Sequence, residues 1–129
     1  MVRQNEHRDA SWLKYILIAL ICEKIIQHVA VTLALYFNWK DIGSTVAVNP
    51  GVLMIVGGVL AALFVVALGG MLDRRAWARD VVIALALVDM LGEFVAQGRI
   101  GIVINVSFLV ASILLILMLL YRRQAPRKA

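Results

Sequence analysis

The chain has 129 residues, of which 63% are hydrophobic and 16% charged, with a formal net charge of +5 and a pI near 9.9. That is one domain's length, and a soluble core of this size cannot hide so much apolar surface, so the surplus is expected to face lipid. The basic residues form no stripe with interleaved aromatics, so no nucleic-acid partner is expected, and Cys22, the single cysteine, leaves no intrachain disulfide or thiolate cluster.

Four apolar runs are long enough to cross a bilayer as helices, over about 12–37, 52–72, 76–97 and 100–121. In the first, Ser11 is placed to cap the helix, and the run is too long and too charged in its middle for a signal peptide. The loop that follows, Asn38 to Pro50, is the longest connection, and Thr45-Val46-Ala47-Val48 within it is expected near the interface. Asn49-Pro50 offers a cap and a first-turn proline for the second run. That run has no polar side chain between Val52 and Leu72, and its Gly57, Gly58, Ala61 and Ala62 form small-xxx-small pairs suited to close helix packing. The third run ends at Gly98, a residue suited to a left-handed helix stop. Trp12, Tyr15, Tyr36, Trp39, Trp77 and Tyr121 fall near span ends, as interfacial aromatics do.

Charge sets the orientation. Arg3, Arg8, Lys14, Arg74, Arg75, Arg79, Arg122, Arg123, Arg127 and Lys128 fall on one side, against Lys40 and Arg99 on the other. The positive-inside rule then puts both termini in the cytoplasm. The expected fold is an all-α, four-helix transmembrane bundle, with residues 1–129 forming a single integral-membrane domain. A bacterial or archaeal cytoplasmic membrane is its expected location. The first and third runs also echo each other at an offset of 66 residues, which sets Glu23 over Asp89 and Gln27 over Glu93. Two repeated αα-hairpins would produce that echo.

The candidate site is the set of ionisable groups at lipid depth. A charge there costs about 2.5–3.5 kcal/mol on insertion scales, so such residues usually face a bundle interior and often carry function. Glu23 and Gln27 make one stripe of the first run, Lys24, His28 and Thr32 the next; Asp89, Glu93 and Gln97 share a face of the third. On the fourth, Asn105 and Ser112 share a face and Ser107 points elsewhere. Glu23, Asp89, Glu93, Lys24 and His28 are therefore the expected ligand- or proton-binding residues, with Gln27, Gln97 and Asn105 in support. Three carboxylates against Lys24 and His28 leave a proton or a cation to be accounted for. Neither a metal nor another cofactor is expected, because the Glu-x-x-His pairs of di-iron bundles are missing. The expected function is binding or moving a proton-coupled cationic or polar small solute, with a homodimer a natural way to thicken the wall of so small a bundle. The rivals are a structural or accessory subunit of a larger membrane complex, and an intramembrane lipid or isoprenoid enzyme using a carboxyl–histidine pair; an enzyme is the less favoured of these classes.

Overall fold

The computed structural model describes residues 2–97 and 106–124, with side chains over 12–44, 46–96 and 107–123. The described residues are helical, with no strand. In chain order they form α1 (Val2–Tyr36), a short 3-10 segment η1 (Trp39–Thr45), α2 (Pro50–Leu72), α3 (Ala76–Gln97) and α4 (Val106–Gln124). The expected boundaries of the second and third helices agree with this to within two residues. Ser11 does not cap the first helix. The polar stretch before it runs straight into α1, because Arg, Gln, Glu and Ala favour helix and no Pro or Gly stops it. Asn49 does cap α2, its side chain accepting from the Gly51 N–H at 2.8 Å. Gly98, Arg99 and Asn105 lie outside the described residues, as does the side chain of Gln97.

The helices form a ring in which α1 packs on α2 and α4, and α3 packs on the same two, so α1 and α3 face each other on the diagonal. The α2–α3 turn is tight. Arg75 N–H bonds to the Gly70 carbonyl at 2.8 Å and Arg74 N–H to that of Met71 at 3.2 Å, a Schellman closure with Arg74 in the left-handed region at φ 57°. Gly70 permits the turn to fold flat, because a Cβ there would lie 2.8 Å from Ala78 Cβ and from the Trp77 ring. Above this turn the core is dense. Leu17, Ile21, Phe64, Val82, Leu114 and Met118 are fully buried.

The opposite end of the bundle is held by the chain between α1 and α2. Asn38, Lys40 and Asp41 all have positive φ. Asn38 organises the turn, its Oδ1 accepting from Gly43 N–H at 3.0 Å. Ala47 N–H then bonds to the Ala96 carbonyl at 2.9 Å and pins the loop to the end of α3. Thr45 itself has no described side chain, and Val46 turns towards the bundle rather than away from it.

Two helices, Trp12–Tyr36 within α1 and Pro50–Leu72, are long and apolar enough to cross a membrane, and only 17% and 22% of their most apolar windows are buried inside the molecule. By the same measure, applied to the described residues, α3 and α4 fall short of the four spans expected. In α3 the reason is Arg79, Asp80, Asp89 and Glu93 on one helix. Along the middle of the helices the outward face is apolar: Ile26, Ile55, Val66, Leu91 and Ile116 are all more than half exposed.

Candidate functional site

Lys24 is fully buried at the middle of α1, and this has one physical consequence: every ammonium proton must find an acceptor inside the bundle. It donates to Gln27 Oε1 at 3.0 Å, to the Ser107 carbonyl at 2.8 Å and to Ser107 Oγ at 3.0 Å. Across the diagonal, Nζ lies 2.6 Å from Asp89 Oδ2 in a close but oblique ion pair, so that Oδ2 has no aligned hydrogen-bond donor. The other carboxylate oxygen of Asp89 lies 3.4 Å from His28 Nε2, also without an aligned hydrogen bond. His28 stacks on Phe64 of α2, with ring centroids 5.7 Å apart and planes 21° from parallel. One cluster thus takes side chains from all four helices.

This pairing changes the expected echo between α1 and α3. The buried residues Leu13, Leu17, Ile21 and Lys24 match Ala78, Val82, Ala86 and Asp89, an offset one residue shorter than 66. Lys24 therefore stands opposite Asp89, and His28 corresponds to Glu93. The helix stripe selected by matching Glu23 to Asp89 was the neighbouring one. The Lys24 ammonium on α1 is set against the Asp89 carboxylate on α3, which lowers the cost of burying each.

Against the core, towards the η1 end, lies a half-open cavity of about 690 Å³. Its deep end is polar: Gln27, His28, Asp89, Glu93 and Ser107. Its upper walls are Val31 and Leu35 of α1 and Leu53 and Val56 of α2, and Ile42 and Val46 cover the top. Gly57 and Gly92 also line it. A Cβ at Gly57 would lie 2.7 Å from Thr32 Oγ1, whereas one at Gly92 would meet nothing within 4 Å. No family model, curated protein or solved structure matches the chain. The site's own chemistry is therefore the ground for any functional reading.

Of the residues singled out in the sequence, Lys24, His28, Asp89 and Gln27 meet in the cluster, and Glu93 lines the same cavity one turn above Asp89. Glu23 does not line it. Its Oε2 is buried on the α1 stripe below Gln27 and has no hydrogen-bond partner among the described residues. Gln97 and Asn105 fall outside the described side chains. Two contributors are absent from the sequence expectation. Ser107 points inward to Lys24, while Ser112 bonds back to the Phe108 carbonyl of its own helix at 2.8 Å. The signal was the helical spacing of Ser107, Ala111, Leu114 and Met118, which is the buried stripe of α4. Phe64 had no polar atom to draw attention. Among the described residues there is no group of three or more metal-ligating side chains.

Proposed function

We propose that the chain is a four-span membrane protein with both ends on the cytoplasmic side and the η1 loop outside. Its cavity binds or moves a small polar solute, coupled to a proton held among His28, Asp89 and Glu93. The observation that carries this reading is the inversion of the molecule: an apolar outer surface around a buried ionic cluster that opens onto a cavity. Supporting it, exposed Trp12, Tyr15 and Trp77 ring the end with Arg74 and Arg75, and exposed Tyr36 and Trp39 ring the other. Buried charges at such depth usually mark ligand or proton pathways.

Only one end of the cluster is reachable. Below Lys24 the fully buried Leu17, Ile21, Phe64 and Leu114 form a dry plug, so the cavity serves the η1 side. This arrangement suits a one-sided binding site or one state of a transporter, and does not suit an open channel.

One observation favours a structural role for part of the cluster. Lys24 already has four acceptors around three protons, so Lys24 and Asp89 hold the diagonal helices together whatever the cavity binds. His28 and Glu93 are then the residues that test function. Native mass spectrometry of the protein extracted from its membrane should show a retained small molecule, which His28→Gln and Glu93→Gln release while the fold persists. Loss of stability with no retained ligand in any form would establish the accessory-subunit reading instead. Reporter fusions after Arg75 and within the η1 loop should report opposite sides of the membrane; the same side for both would sink the four-span topology.

A further inference from the structure

The cavity has a direction. Its polar groups sit at the deep end, near the middle of the helices, and the described residues lining its upper half are apolar. A water-soluble solute arriving from the η1 side would first have to pass Leu35, Ile42, Val46 and Leu53, shedding its hydration against groups that return no hydrogen bond. The order of polarity is opposite to what an aqueous vestibule needs.

The apolar wall also runs out of the molecule. Val31 and Val56 both line the half-open cavity and are 45% exposed, and beside them on the same helices Val29, Leu33, Ile55 and Val59 form an exposed apolar surface. In a bilayer that surface is in contact with acyl chains, so the cavity wall and the lipid phase are continuous. A molecule dissolved in the bilayer reaches the cavity without crossing water.

The deep end specifies the head. Lys24 and Asp89 compensate each other at 2.6 Å, and Glu93 is itself already engaged, so a charged head would have to compete with interactions already made. What the deep end offers is hydrogen bonding. Gln27 spends its Oε1 on Lys24, and its amide N–H groups have no partner among the described residues. His28 lines the cavity with a side chain 13% exposed, its Nε2 turned away and buried against Asp89. A neutral oxygen beside the ring can accept from the Gln27 amide.

We propose that the cavity takes a neutral, lipid-soluble amphiphile head first from the bilayer. Its hydroxyl or carbonyl oxygen accepts from the Gln27 amide, its head packs beside the His28 ring, and its hydrocarbon tail lies against Val31, Leu35 and Val56. A volume of about 690 Å³ falls in the range of small-molecule sites and admits a head with a branched chain of moderate length. This inference rests on the reading of the cavity as a binding site and names what class of molecule enters it.

The test uses the full chain in lipid nanodiscs with tritiated farnesol as probe, competed by prenol, which has the same head on a short tail, and by farnesylamine, which has the same tail on a cationic head. Farnesol should bind saturably, with prenol and farnesylamine each weaker by about tenfold or more. Gly92→Leu should cut farnesol binding by at least about tenfold without lowering the melting temperature, because its Cβ enters open space and leucine favours helix over glycine. His28→Gln should weaken binding while Glu23→Gln leaves it unchanged.

Prenol binding as tightly as farnesol, with both lost in Gly92→Leu, would overturn the lipid-soluble class and leave the cavity a site for polar solutes. Farnesylamine binding tightest would overturn the neutral head. Farnesol binding that Gly92→Leu does not alter would be adsorption to the outer surface, and would overturn the assignment to this cavity. Failure of all three probes overturns the inference alone, since the retained-ligand measurement on the membrane-extracted protein decides the broader reading separately.

Discussion

The two halves of this bundle are built on different principles. Towards the α2–α3 turn, four helices close over a dry core in which Leu17, Ile21, Phe64, Val82 and Leu114 are almost or wholly inaccessible. Towards η1 the same helices leave a cavity of about 690 Å³. The Lys24–Asp89 pair lies at the border, with Gln27 and Ser107 accepting from Lys24 and with His28 beside Asp89 on the cavity side. Dense packing on one side gives the pair a rigid, low-dielectric seat, while the open side provides access. Neither half alone would make a site.

The border should break most dramatically. Asp89→Ala strands a buried ammonium and is expected to cost about 3–5 kcal/mol, whereas the double variant Lys24→Met with Asp89→Leu should recover most of that. Unfolding in a detergent–denaturant titration would measure these and the single variants Lys24→Met and Asp89→Leu, and a double-variant loss equal to the sum of the two single losses would show the residues to be uncoupled.

Next come paired truncations across the halves. Leu17→Ala, in the dense half, should lose about 2 kcal/mol, at the low end for core truncations because only packing is lost in lipid. Val56→Ala, on the cavity wall, should lose well under 1 kcal/mol by the same measure. A reversed order would mean that the cavity is filled and tightly packed in the native membrane. Gly70→Leu belongs to the same comparison. Its side chain would collide with Ala78 and Trp77, at a cost of about 1–3 kcal/mol, visible as a lowered melting temperature.

A smaller effect is expected at Glu23. Its Oε2 is buried without a hydrogen-bond partner, so Glu23→Leu should leave stability unchanged or raise it by about 1 kcal/mol, with ligand retention intact. Loss of ligand in this variant would return Glu23 to the site and require a rearrangement of α1. A comparable gain is expected of Arg74→Gly, which relieves a left-handed non-glycine residue and should stabilise by about 1 kcal/mol, read as a raised melting temperature.

Much of the site's membership was legible, because ionisable residues inside apolar runs are visible in one dimension. Which of them meet was not. Glu23 and Lys24 are adjacent in sequence and about 100° apart around a helix. Choosing between them needs the rotation of α1 within the ring, and a one-residue error in the α1–α3 echo exchanges an unpaired acid for the central cation. The same ambiguity hid Ser107 behind Ser112. Phe64 and the cavity itself left no trace, since an apolar residue beside a void reads like one in a core.

The sequence by itself determined that the chain is helical and apolar, where α2 and α3 begin and end, and that charges lie deep within it. These follow from composition, hydropathy and caps, which act within a few residues of the chain. Only the tertiary structure decided that Lys24 pairs with Asp89 across the diagonal, that Glu23 stands apart, and that one half of the bundle is closed and the other open. Those outcomes depend on helix rotation and on how well facing side chains fill space, which are properties of four helices together and of no single one.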